Sequence, residues 1–175
     1  MPWYAFHDKR PRVAASAFVH PQAVLIGDVV IGEGCYIGAG AVLRADFGRI
    51  SIGDGSNFQD NAVAHGEVTI GAGTLVAHGC VVHYAKLGDR VTVGIGSIIM
   101  DGCEIGDGCI VGAGSLVLFN TKVPPGKLVV GSPAKVLRDV GPEAAQQAAA
   151  GLAVYQALPR MCFEGLQQIE ERRAP

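Results

Sequence analysis

The sequence predicts an all-β solenoid, a parallel β-helix of hexapeptide repeats, followed by a C-terminal α-helical segment. Three observations lead there. An aliphatic residue returns at every sixth position through most of the chain, 25 of the 175 residues are glycine, and charged residues make up only 17%. Such a period is neither that of a half-buried strand nor that of an amphipathic helix, and repeats of this length mark a β-helix.

The inward positions begin as Val19, Leu25, Ile31, Ile37 and Leu43. They resume in a new phase as Ile52, Phe58, Ala64, Ile70, Val76 and Val82, and in a third phase from Leu87 through Val93 and Ile99 to Val129. Each hexad is a short strand and a corner; the aliphatic side chain points into the prism and the glycines permit corners with positive φ. Three hexads close one coil, so residues three hexads apart stack on successive rungs about 4.8 Å from each other. The phase slips across Arg44–Arg49 and again between Val82 and Leu87. Insertions and deletions in a solenoid fall at its corners, where binding groups also collect.

The repeat ends near Gly131–Lys135, which divides the chain into a β-helix domain, 1–135, and a helical segment, 136–175, packed on it. Gly141–Ala150 has high helix propensity, with Pro142 suited to a first turn. Gly151 and Pro159 are expected to divide the remainder of the segment, and Met161–Arg173 carries Phe163, Leu166 and Ile169 at helical spacing.

Net charge is -2, which leaves no basic footprint for nucleic acid or an anionic membrane. No apolar run is long enough to span a bilayer, and Met1–Arg12 lacks the apolar core of a signal peptide, so a soluble cytoplasmic protein is expected. Five cysteines, Cys35, Cys80, Cys103, Cys109 and Cys162, include no Cys-x-x-Cys pair; they read as small packing residues in a reducing compartment.

His65 and His83 each follow an inward residue, Ala64 and Val82, one coil apart. They should stack at one edge and face the same way, so they can share a metal. His78 follows Val76 by two and sits almost one face earlier, out of easy reach of the same ion. A second subunit presenting its own His78 resolves this, and repeated around a ring the contact gives a homotrimer with three interfacial sites. Zinc with three imidazoles and an open position lowers the pKa of bound water to about 7. Iron(II) or cobalt would also suit this set. His7 and His20 read as solvated or hydrogen-bonded edge residues.

On Leu43-Arg-Ala-Asp46, Asn57-Phe-Gln-Asp-Asn61, Ala64-His-Gly66, Ala77-His-Gly-Cys-Val-Val-His83, Gly94-Ile-Gly-Ser97 and Gly131-Ser-Pro-Ala-Lys135, the chain resembles the γ-class carbonic anhydrases over nearly its whole length. The resemblance implies a left-handed prism, zinc held by His65 and His83 of one subunit and His78 of the next, and hydration of carbon dioxide to bicarbonate by metal hydroxide. It further implies Arg44 at the subunit interface near the anion, paired with Asp46 or Asp60, Gln59 orienting the bound water or product, and Asn57 beside the open coordination site. The acidic loop that moves protons in the archetypal enzyme is shortened here: Phe47 follows Asp46, and only Gly66-Glu67 separates His65 from Val68. Glu67, Tyr84 or another group would have to substitute.

Tyr155-Gln-Ala-Leu-Pro-Arg-Met-Cys162, Phe18-Val-His-Pro21 and Ala23-Val-Leu-Ile-Gly-Asp28 are similar to a subgroup associated with phenylacetate degradation and the carnitine operon. That subgroup implies thioesterase activity toward acyl-CoA as the alternative, with Arg49, Lys86 and Arg90 as candidate cations for the CoA phosphates. Tyr155 either faces the site or, as the favoured reading, is an aromatic of helix packing. A reading of another class is an inactive trimeric subunit tied together by its metal.

Overall fold

The computed structural model describes residues 2–169. Most strands are two or three residues long, alternate with corners, and pair in parallel with the strand one coil later; Val24–Ile31, Val42–Ile52, Lys127–Gly131 and Ala134–Asp139 are longer, and the last two pair antiparallel as a closing hairpin. The product is the left-handed parallel β-helix, with one C-terminal helix, α1 (Pro142–Gly165).

Each face of the prism sends one column of side chains inward. Leu25, Leu43, Ala64, Val82, Ile99 and Val117 are paired rung to rung on the first face. Ile37, Phe58, Val76, Val93 and Val111 do the same on the second, and Ile31, Ile52, Ile70, Leu87 and Ile105 on the third. All are buried, as the six-residue period requires. Full burial of one such side chain stabilises by about 1.5–3 kcal/mol, and the columns join into one continuous core.

Small polar residues at the corners bond the next coil. Ser56 Oγ donates to Gly71 O, Thr74 Oγ1 to Gly88 O and Ser97 Oγ to Gly112 O. Cys35, Cys80, Cys103 and Cys109 aim their thiols at the same kind of carbonyl, at 3.0–3.1 Å. Burial pushes all four thiols up, Cys35 to about 11, which suits inert packing groups that also satisfy a backbone acceptor.

Both phase slips are visible in the register. Gly27 pairs with Ala45 but Val29 pairs with Ile50, so Asp28 alone stands against Asp46–Arg49, and the extra residues bulge outward with Phe47 exposed. Gly27 makes this possible: its φ is +78° and an added Cβ would lie 2.3 Å from Ala45 O. At the second slip His83 pairs with His65 and Lys86 with Thr69, one residue fewer per coil. Tyr84 takes φ 43° there, and its ring lies over Gly66, where a Cβ would approach it to 2.2 Å.

The helix differs from the sequence expectation. It runs unbroken through Gly151 and Pro159 and ends at Gly165, so Leu166 caps it and Ile169 lies beyond it; residues 170–173 lie outside the described residues. Pro159 lacks the N–H that would bond to Tyr155 O, but its ring is the buried residue of the helix, and burial against the prism offsets that loss. Tertiary docking also fixes the rest of α1. Phe163 meets Phe18 edge-on at 5.5 Å, Tyr155 lies 5.8 Å from Tyr36, and Gln156 Nε2 donates to Gly55 O.

Candidate metal centre

His65 and His83 occupy outward positions on adjacent rungs of the first face, directly paired in register. Nδ1 of His65 lies 3.0 Å from Nε2 of His83. The other nitrogen of each ring meets a carboxylate: His65 Nε2 is 3.1 Å from Asp46 Oδ1, and His83 Nδ1 is 2.6 Å from Asp101 Oδ1. Carboxylates accept, so in the neutral rings the outer nitrogens carry the protons and the inner ones present lone pairs to each other. Two lone pairs at this distance repel unless a proton or a cation lies between them. Two nitrogens on one tetrahedral zinc, at its usual bond length, would be about 3.3 Å apart, so the pair fits a metal with little adjustment.

Arg44 Nη1 reaches Asp46 Oδ2 at 2.5 Å, completing a line of contacts from Arg44 through Asp46, His65 and His83 to Asp101. Burial pushes the Asp46 carboxyl up, but hydrogen bonds from Arg44 and His65, with the guanidinium charge, outweigh it and hold the group below the ordinary carboxylate range. Tyr84 closes one side, its ring centroid 6.0 Å from His65 and 5.0 Å from His83.

His78 belongs to a different cluster. Its Nδ1 lies 3.0 Å from Asp60 Oδ2 and its Nε2 lies 3.2 Å from the Tyr155 hydroxyl. Gln59 and Asn57 are buried close by in sequence, with Gln59 Nε2 donating to Asn57 Oδ1 at 2.8 Å. Among the described residues, Asn57 Nδ2 is a buried side-chain nitrogen without a hydrogen-bond partner. Burial and the Asp60 charge push both nearby phenols up, Tyr36 to about 12. Both therefore keep their protons at neutral pH.

The sequence-derived residues thus fall into two separate clusters: Arg44, Asp46, His65 and His83 in one, Asn57, Gln59, Asp60 and His78 in the other. Among the described residues no three histidine, cysteine or carboxylate side chains converge as a metal cluster within the chain. Arg44 pairs with Asp46, whereas Asp60 backs His78 and accepts from Ala39 N. Sequence reasoning missed Asp101, although it follows His83 by 18 residues, as His83 follows His65. It ranked helix packing above a place facing the site for Tyr155; the contact with His78, 77 residues away, leaves no local signal. The candidate phosphate-binding cations have separate surroundings: Arg49 holds Asp28, Lys86 pairs beside Glu104, and Arg90 lines a cleft under α1. His20 Nδ1 accepts from Gln22 N, in keeping with an edge residue.

The three faces have different outsides. One carries Thr69, Lys86, Glu104 and Lys122 in register, with Lys122 bonded to Glu104. The second carries Phe18, Tyr36 and Asn57, whose strands α1 contacts. Beside the histidine pair, the first face presents Val24, Val42, Val63, Val81, Ile98 and Leu116 as an unbroken outward aliphatic column. Among the described residues, no helix is long and apolar enough to cross a membrane.

The family model described as bacterial transferase hexapeptide (six repeats) matches residues 10–45 and 84–118. The carnitine operon protein CaiE of Salmonella agona (strain SL483) is 40% identical over 99% of this chain and 92% of its own. A hexapeptide transferase family protein from Anaplasma phagocytophilum superposes with a TM-score of 0.89 at 37% identity, covering 91% of this chain and 97% of that one. PerB from Caulobacter crescentus, solved in complex with CoA and GDP-perosamine, is 31% identical over 69% of this chain and 56% of its own, with a TM-score of 0.56. With a repeat, a register and relatives that agree over nearly the full length, the chain belongs to the CaiE family of hexapeptide-repeat proteins.

Proposed function

We propose that the chain is a metal-dependent acyl-CoA thioesterase acting as a homotrimer, each centre built from His65 and His83 of one protomer and His78 of the partner subunit. The observation that carries this is the histidine pair: two lone-pair nitrogens held 3.0 Å apart, each ring backed by a carboxylate, at the edge of a bare aliphatic face. His78 is prepared in the same way by Asp60, and the apolar column supplies a reason for that face to meet another copy.

His65 and His83 of one protomer and His78 of the partner subunit would hold a divalent ion, which would supply Lewis-acid activation of a water and of a thioester carbonyl. The chain's own groups do the rest. Asp46, Asp60 and Asp101 fix which nitrogen of each ring is free, and Arg44 anchors Asp46. Asn57 Nδ2, a donor without a partner among the described residues, is suited to an oxygen that gains charge. Phe47, exposed and 6.4 Å from Phe6, offers an apolar surface one residue from Asp46 for an acyl group. The CoA bound in PerB supports this substrate class.

Carbon dioxide hydration is the second reading and rests on the same imidazoles. It needs a group that carries protons to solvent. The three carboxylates nearest the histidines are each engaged by one of them, and Phe47 occupies the exposed bulge beside Asp46. Zinc-replete protein should hydrolyse members of an acyl-CoA series, read as release of free thiol, with His83→Ala as the blank. Thiol release no faster than that blank, with metal bound to the parent, would sink the thioesterase reading; carbon dioxide hydration above the blank would then move the second reading to first.

A further inference from the structure

Resting on the interfacial centre just proposed, the inference concerns Tyr155. We propose that the Tyr155 hydroxyl occupies the ligating nitrogen of His78 until a metal arrives and displaces it. The argument begins with the imidazole. Asp60 accepts the proton of His78 Nδ1 at 3.0 Å, so Nε2 carries the lone pair. The Tyr155 hydroxyl, 3.2 Å from Nε2, therefore donates to it. One lone pair cannot bind a metal and accept this hydrogen bond together, so the ion and the hydroxyl compete for a single atom.

The exchange does not require the helix to leave. Phe163 against Phe18, Tyr155 against Tyr36, and Gln156 Nε2 on Gly55 O hold α1 independently of the hydroxyl. The displaced O–H stays beside His78 with its proton and loses its acceptor, so metal binding breaks a hydrogen bond that is not regained. Tyr155 is thus a positioning residue with a cost in metal affinity.

The test is titration of metal-free protein with cobalt(II), followed by the visible bands of the bound ion. Tyr155→Phe keeps the ring packing and removes the hydroxyl. It should bind cobalt about three- to tenfold more tightly than the parent, the range expected when a net hydrogen bond no longer has to be broken. Difference absorbance should also record a tyrosine leaving its hydrogen bond as cobalt binds the parent, and the signal should be absent from the variant. Equal or weaker affinity in Tyr155→Phe, with normal cobalt bands in both proteins, would overturn the role given to Tyr155 while leaving the centre intact. Failure of both proteins to bind cobalt stoichiometrically would overturn the centre and this inference with it. Damage to the fold could only weaken binding, so a gain in affinity separates competition from a structural role.

Discussion

Asp101 and His65 stand on opposite sides of His83, one at 2.6 Å from its Nδ1 and the other at 3.0 Å from its Nε2. The carboxylate decides which nitrogen holds the proton, and so which nitrogen is offered toward His65. The nitrogen that the proposed centre would use is therefore set by an acid in the rung after the pair.

Removing that acid should loosen the metal without unfolding the prism. Asp101→Ala is expected to weaken cobalt affinity by about 10–100-fold, because an unanchored imidazole loses both its preferred tautomer and its orientation. The check is a cobalt titration beside far-ultraviolet circular dichroism. Parent-like affinity in a folded variant would remove Asp101 from the centre.

The outward column of the first face should decide assembly. Val81 pairs with Val63 on one side and Ile98 on the other. A carboxylate placed between them, Val81→Asp, would be buried without a partner in any interface formed there. Sedimentation should show the variant as monomer and the parent as trimer, with cobalt binding lost in the monomer. A trimeric Val81→Asp protein would mean that subunits meet through another face.

Asp46 gives the acid dependence. Its folded-state pKa lies below the ordinary value because its bonds to Arg44 and His65 outweigh burial. Such a carboxylate stabilises the fold above the unfolded-state pKa, about 3.9, and the contribution is lost as pH falls through the folded value. In metal-free protein the urea midpoint of the parent should exceed that of Asp46→Asn at neutral pH, and the gap should close below about pH 4. A gap that stays constant into acid would show that the ionised carboxylate contributes nothing.

The prism was readable because its cause is local and repeated. Every sixth residue must be apolar to fill the core, and Ile37, Phe58 and Val76 advertise that without any tertiary information. Both register slips were readable as departures from the same rule. Asp101 could have been found by extending the 18-residue stacking that relates His65 to His83. The unbroken helix and the Tyr155 contact arise instead from where α1 docks. Packing of Pro159 and Tyr155 against the prism overrides the local preference of a helix to stop at proline, and that docking is not written in the pattern around either residue. The separation of His78 from the His65 and His83 pair was legible, since His78 follows its inward residue by two and His65 follows its own by one.

The central claim is that one metal centre takes residues from two chains, and subunit mixing tests it most directly. His78→Ala and His83→Ala proteins should each bind almost no cobalt at parent affinity. Unfolded together in equal amounts and refolded, they should regain about a quarter of the parent's sites, because a centre is whole only where an intact His65 and His83 pair meets an intact His78 from its neighbour. A mixture that binds no more cobalt than the two variants kept apart would contradict a shared centre.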